Sequence, residues 1–348
     1  LEKRKSVKKA LPKKALPKKG YTLCTMKDGR DGGKERLIDD YGREIRSLRF
    51  SLTTRCNLNC IYCHNEGEGR GGERAEISAE LIIAIARVAS QYFDIRRIKF
   101  SGGEPLMRDD LAEMVQGMRD FEDDISVTTN GTFLSRYAAE LADAGLDRLN
   151  VSLDTLKEER YDLITASSNN LSRVVEGIYS AIDAGLTPIK LNTVILKGIN
   201  EDEIEDLIGF VRECNKRGGG DVAILQLIEL IPLFYPSMPQ CKADFYELEE
   251  ELKSKASIIK TRRLQHRKKY FVDGVEVEVV HPIDNSEFCA NCSRLRITSD
   301  GKIKPCLLRN DNLVPIDSVD EEQIANKLKL AMRYRAPFYG KKHSEEMR

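Results

Sequence analysis

From about residue 47 to 230, apolar runs of five to eight residues alternate with amphipathic stretches of ten to seventeen. The runs predict strands over 47–54, 96–101, 124–129, 147–153, 188–195 and 222–229. The stretches between them repeat apolar residues at helical spacing and predict helices over 78–93, 108–119, 133–144, 171–184 and 201–217. Ser78 is placed to cap the first helix, and Pro188 sits at a strand start, where a missing donor is tolerated. Alternation of this kind implies an α/β fold with a parallel sheet, and six units imply a curved or partial (β/α)6 barrel. Ligands in such sheets bind at the C-terminal ends of the strands. Past Glu229 the alternation stops at Pro232, Pro236 and Pro239. A polar helix over 244–255 and a hairpin over 269–280, turning at Asp273-Gly274, are predicted beyond it. The chain is therefore expected to divide into an extension (1–40), a barrel body (41–235) and a smaller C-terminal domain (236–348).

Composition changes this picture little. The 348 residues are 41% hydrophobic and 32% charged, as in a soluble globular protein with a sizeable core. Lys+Arg and Asp+Glu are both 56, so bulk charge argues for neither a specific nucleic-acid partner nor a membrane surface. No apolar run approaches the ~20 residues of a membrane-spanning helix. The balance hides a basic tail: residues 1–20 hold nine basic side chains and one acid, with an imperfect Lys-Lys-Ala-Leu-Pro repeat. That composition cannot build a core and predicts disorder, and the tail lacks the apolar stretch of a signal peptide.

Of nine cysteines, six fall into two close groups, which points to metal ligation over disulfides and to the cytoplasm; Cys24, Cys214 and Cys241 are scattered and read as ordinary residues. Cys56, Cys60 and Cys63 follow the first strand. Three thiolates in eight residues suit three irons of a 4Fe–4S cluster and leave the fourth iron open for chemistry. A structural zinc site is the competing reading; it needs a fourth ligand, and His64 is badly placed to supply it. The spacing resembles the S-adenosylmethionine (SAM) site of radical SAM enzymes. Three later segments end predicted strands: Gly102-Gly103-Glu104, Thr129-Asn130-Gly131 and Ser152-Leu153-Asp154. Paired glycines admit a ligand close to the backbone, and a carboxylate such as Glu104 can hold an ammonium group. Lys190 and Asn192 share one face of the fifth strand by period-two alternation.

The second group is Cys289, Cys292 and Cys306. Spacing alone leaves two readings: zinc completed by His281, or a second 4Fe–4S cluster with an open iron. Arg294 and Arg296 follow at period two and point the same way from a strand. Two guanidiniums beside such a cluster suit an anionic substrate, because arginine recognises phosphate in a multidentate way.

These stretches resemble the radical SAM GTP 3′,8-cyclases of molybdenum cofactor biosynthesis, more closely the archaeal branch, from Tyr41 to Gly340. The resemblance rests on Ser47 to Cys56, Ser101 to Arg108, Ile195 to Asn200 and, most specifically, Phe288 to Asn312. It implies one 4Fe–4S cluster on Cys56, Cys60 and Cys63, which binds SAM. It implies a second on Cys289, Cys292 and Cys306, whose open iron contacts guanine. It further implies that Gly102, Gly103 and Glu104 hold the methionyl amino group and that Tyr62 lies near the adenine. Thr129, Asn130 and Ser152 line the SAM site, and Lys190 takes the SAM carboxylate. Arg49, Arg108, Arg294 and Arg296 are implied to hold GTP, chiefly its phosphates. Arg294 and Arg296 are the implied catalytic pair, with Arg296 an electrostatic aid to the reducing step.

The implied chemistry starts with one-electron cleavage of SAM to a 5′-deoxyadenosyl radical. That radical takes hydrogen from carbon 3′ of GTP, and the sugar then adds to carbon 8. Implied partners are GTP, an electron donor, the next enzyme of the pathway and, as an open option, a second copy of the chain. Two departures stand out: bacterial members carry an arginine at Gln226 and end in Gly-Gly, whereas this sequence ends Ser344-Glu345-Glu346-Met347-Arg348. The rival readings are a peptide-modifying radical SAM enzyme with an auxiliary cluster and a zinc-stapled binding module.

Overall fold

The computed structural model describes residues 34–69, 75–231, 239–262, 264–281 and 286–336. The basic tail, Cys24, Pro232, Pro236 and the final residues lie outside them. The first body runs β1 (Ser47–Ser51), α1 (Ala79–Phe93), β2 (Arg97–Ser101), α2 (Leu111–Met118), β3 (Asp124–Thr129) and α3 (Leu134–Asp143). It continues through β4 (Arg148–Ser152), α4 (Glu158–Thr165), α5 (Leu171–Asp183), β5 (Ile189–Ile195), α6 (Ile204–Gly218) and β6 (Ala223–Glu229). Beyond it come α7 (Phe245–Lys255), β7 (Ile258–Thr261), β8 (Lys268–Val272), β9 (Val275–Val280) and α8 (Ser286–Ala290). The last elements are β10 (Arg294–Ile297), β11 (Lys302–Lys304), β12 (Val314–Pro315) and α9 (Glu321–Arg333).

The six expected strands and five expected helices form, with the predicted cap in place: the Ser78 hydroxyl accepts from the Leu81 N–H. Helix α2 starts later than its periodicity suggested, because Pro105–Met107 make a separate 3₁₀ turn first. The sequence reading passed over α8, β11, β12 and α9, and also α4 and β7. Helix α4 is only eight residues long, and β7 is exposed along its whole length, so neither carries a strong apolar period. The Asp273-Gly274 hairpin forms with positive φ at both residues, the geometry that a two-residue turn between twisted strands requires.

All strands join one open sheet, in the order β12-β11-β10-β1-β2-β3-β4-β5-β6-β9-β8-β7. Strands β1 to β6 are parallel, and β10 and β9 extend the parallel part on either side. The strands past residue 236 thus hydrogen-bond onto both edges of the first body's sheet. The C-terminal ends of β1 to β6 all lie on one side of the sheet.

Alternation sorts the strand side chains. Leu48, Phe50, Ile98, Phe100, Leu295 and Ile297 are buried in the core that includes Ile82, Ile85 and Met114 of the helices. Arg49, Lys99, Arg294 and Arg296 occupy the intervening positions and face the other way. Pairing is in register, Arg49 with Arg296 on one side and with Lys99 on the other.

At the opposite end of the strands, just before β3, Glu122 is 5% exposed and neither carboxylate oxygen has a hydrogen-bond partner among the described residues. Burial, then Asp123, raises its pKa to about 9 from 4.5. Its contribution to folding is fully present below about pH 4.5 and is lost as pH rises through about 9, because the folded state holds the proton that the unfolded state has released. Glu122→Leu is therefore expected to stabilise the protein by about 1–3 kcal/mol at pH 8. The gain should shrink towards pH 4.5. Urea midpoints of both proteins across that range measure it; an equal gain at both ends would contradict the account.

Candidate functional site

A cavity of about 410 Å³ opens at the C-terminal ends of the strands. The loop after β1 carries Cys56, Cys60 and Cys63 into its wall. That loop is tied on two sides. Asn59 and Ile61 donate backbone hydrogen bonds to the carbonyls of Thr165 and Ile164 at the end of α4. Gly103 N–H and Glu104 N–H donate to the carbonyls of Thr53 and Arg55. A Cβ on Gly102 would lie 2.5 Å from Thr53 O, and one on Gly103 would lie 2.0 Å from Arg55 O, so the glycines are required for this approach.

The cysteine sulfurs accept local donors. Leu58 N–H and the Asn130 amide reach Cys56 Sγ, and Asn65 N–H reaches Cys63 Sγ. Burial raises the Cys56 and Cys60 thiols above their ordinary range, so ionising them calls for a metal centre. Cys289, Cys292 and Cys306 line the same cavity. Burial pushes the Cys292 thiol up, but Arg335, Arg296 and Arg294 outweigh it and hold the thiol below its usual range. Among the described residues, no three Cys, His, Asp or Glu side chains converge on a single-ion position. Triplets of sulfurs spread along a wall suit a polynuclear cluster, which presents separate irons to separate thiolates. His281, the candidate fourth zinc ligand, packs edge-on against Phe245 and Tyr246 and faces Glu229 at 3.5 Å.

Most of the predicted site residues line this one cavity: the six cysteines, Arg49, Tyr62, Gly102, Gly103, Thr129, Asn130, Ser152, Arg294 and Arg296. Tyr62 donates to the Asp154 carboxylate at 2.5 Å. Burial holds that carboxylate up at about 6, against the Tyr62 and Val194 N–H donors. Three predicted residues do not line the cavity. The Glu104 carboxylate is fully buried and accepts from Leu106 N–H, the Thr129 hydroxyl and Asn130 N–H. It is an internal latch holding the β3 loop against the glycine loop, with no free oxygen turned to a ligand. The Arg108 guanidinium pairs with Asp110 and donates to the carbonyls of Leu52 and Ile77, which places it outside the anion site. Lys190 is ion-paired with Glu278 of β9, and burial brings it down to about 8.

Eight basic side chains and three acidic ones line the cavity. Glu66, in the turn after Cys63, pairs with Arg49 at 3.0 Å and lies 3.7 Å from Arg296. Burial pushes its carboxyl up, yet Arg49 and Arg296 outweigh burial and hold it at about 2. Lys99 and Arg294 make no side-chain hydrogen bond or acidic ion pair among the described residues. Burial, then Arg49 and Arg294, drives the Lys99 pKa well down; burial, then Arg49 and Arg296, does the same to Arg294. Sequence reading missed Lys99, Glu66 and Arg267. Only Lys99 carried a signal: it alternates with Arg97 and Ser101 on β2, as Arg294 and Arg296 alternate on β10.

Comparison with known proteins agrees with this geometry. The Radical SAM superfamily model matches residues 50–211, and the Molybdenum Cofactor Synthesis C model matches residues 224–345. A probable GTP 3′,8-cyclase of Methanosarcina mazei is 49% identical over 328 residues, spanning 90% of this chain and 96% of that protein. One from Archaeoglobus fulgidus is 44% identical over 303 residues, spanning 87% and 99%. Among solved structures, Streptococcus suis SuiB bound to precursor peptide SuiA has a TM-score of 0.58 at 15% identity, covering 77% of this chain and 61% of that one. Native anSMEcpe with bound AdoMet has a TM-score of 0.53 at 16% identity, covering 81% and 79%. The likeness to these two structures is one of fold.

Glu104→Gln would turn an amide NH₂ towards the Asn130 N–H, leaving a buried donor unpaired at a cost of about 1–3 kcal/mol. Exchange of the Asn130 amide hydrogen is expected to accelerate roughly tenfold or more, while exchange in the α1 core stays unchanged. Unchanged protection at Asn130 would show that the carboxylate is no latch.

Proposed function

This chain belongs to the radical SAM family of GTP 3′,8-cyclases, and we propose that it converts GTP to 3′,8-cyclo-7,8-dihydro-GTP, the first step of molybdenum cofactor biosynthesis. The observation that carries the substrate assignment is the pair of half-buried cations, Lys99 and Arg294, which have no acidic partner among the described residues and lie beside Arg49 and Arg296. Like charges packed in a low-dielectric cavity call for a polyanion, and a triphosphate supplies one.

Cys56, Cys60 and Cys63 would hold the 4Fe–4S cluster that binds SAM, and Cys289, Cys292 and Cys306 a second cluster facing the guanine. Bound there, the cluster and SAM would supply radical chemistry able to take hydrogen from carbon 3′. The chain's own contribution is position and exclusion of water. The Gly102-Gly103 backbone admits the methionyl end closely, and Tyr62 with Asp154 borders the adenine side. Lys99, Arg49, Arg294 and Arg296 fix the triphosphate, so that carbon 3′ and carbon 8 of one substrate are held together. Arg296, next to the second triplet, also favours the electron that completes the ring closure.

An external one-electron donor is a required partner, and the next enzyme of the pathway takes the product; a homodimer fits this reading as well. No described helix is long and apolar enough to cross a membrane. Oxygen-sensitive clusters and thiol-rich walls support a cytoplasmic setting for the reaction.

The test is an anaerobic assay of the reconstituted protein with SAM, GTP and a reductant, followed by chromatography and mass spectrometry. Formation of 5′-deoxyadenosine is expected to depend on GTP, with GTP lost to a compound of equal mass and different retention. Release indifferent to GTP would remove the substrate assignment. Arg294→Ala and Arg296→Ala should each lower kcat/KM for GTP by about tenfold to a hundredfold, mostly through KM.

A further inference from the structure

Arg267 lies immediately before β8, after a turn in which Gln265 and His266 have positive φ. Its guanidinium enters the cavity wall beside Gln226. Nη1 donates to Gln226 Oε1 at 3.2 Å and to Glu278 Oε1 at 3.1 Å, and Nη2 donates to Gln265. The Phe288 ring lies 5.7 Å beneath it. Its Nε is buried with no hydrogen-bond partner among the described residues. Gln226 is itself oriented, because its amide nitrogen donates to Asn192 Oδ1 at 2.7 Å and so turns the oxygen to Arg267.

Glu278 does not account for Arg267. That carboxylate is fully buried, and it is also held by Lys190 and by Arg262 at 3.0 Å. One cation balances its single charge, so the three together leave an excess of positive charge. Burial depresses the Arg267 pKa and the charge of Arg49 adds to it, while Arg267 in turn adds to the depression of Arg294.

We propose that Arg267 is a substrate-binding residue that takes a phosphoryl oxygen of the nucleotide, with the neutral Gln226 serving as its holder. The proposal rests on the GTP reading of the cavity. A forked guanidinium that lines the cavity and is fixed there by a carboxamide is pre-organised for a second anion. The charge absent at Gln226 thus arrives from the segment before β8, through the side chain hydrogen-bonded to it.

Equilibrium dialysis of GTP and of guanosine against the anaerobically reconstituted protein tests this, using wild type, Arg267→Gln, Arg267→Lys, Arg294→Ala and the double variant Arg267→Gln with Gln226→Arg. Arg267→Gln is expected to weaken GTP binding about tenfold or more and to leave guanosine within twofold, with Arg267→Lys intermediate. Gln226→Arg should recover most of the loss, which a purely structural role for Arg267 would not allow. The Arg267→Lys and double variants carry the test should Arg267→Gln fail to fold. Equal losses for GTP and guanosine, or no rescue, would overturn the proposal. GTP binding unchanged in Arg267→Gln but weakened in Arg294→Ala would overturn it while sparing the GTP reading. No change in either variant would overturn both.

Discussion

Register is the constraint on which the site depends. Strand β1 pairs in step with β10 on one side and β2 on the other, and β10 pairs with β11. One row across these four strands reads Lys304, Arg296, Arg49, Lys99. Side-by-side like charges work against a sheet. They persist because the same register buries Leu48, Phe50, Ile98, Phe100, Leu295 and Ile297 on the opposite face. A slip of one residue would exchange the two faces and bury the charges in the core. The apolar face thus holds an arrangement that the polar face, left alone, would push apart. Glu66 offsets part of the repulsion, and the rest remains for a ligand.

The cysteine loop shows the same division of labour at smaller scale. Three thiolates on a loop without regular structure would hold no fixed geometry. Here the loop is tied to the glycine segment and to the end of α4 by backbone hydrogen bonds. The glycine segment is in turn tied to β3 through the buried Glu104 carboxylate. Each tie is short-range, and together they carry the rigidity of three strand ends into the loop.

What was legible in the sequence was what is local. The strands and long helices between residues 47 and 230 announced themselves by period, and both cysteine triplets by spacing. Arg294 and Arg296 were legible because alternation within one strand fixes their common direction. Lys99 was less so, since its meaning comes from lying beside Arg49, fifty residues away in the chain. Glu104 and Lys190 show the converse limit. Pattern located both near the strand ends but could not tell whether the charge turns inward to protein partners or outward to the cavity. For Lys190 the answer depends on Glu278, 88 residues later. Arg267 follows an irregular turn, where no periodicity exists to be read.

The addition of β10 beside β1 has a consequence for how the chain comes to be made. Strand β1 ends at residue 51, and its outer partner, β10, begins only at residue 294. During synthesis at ~5–20 residues per second, β1 waits roughly 12–50 seconds as an unpaired edge after it has left the ribosome. Its exposed backbone carries Arg49, and a charge on an edge strand discourages pairing with a foreign strand. The side chain that faces the cavity in the finished protein would then first serve as the guard of a growing sheet.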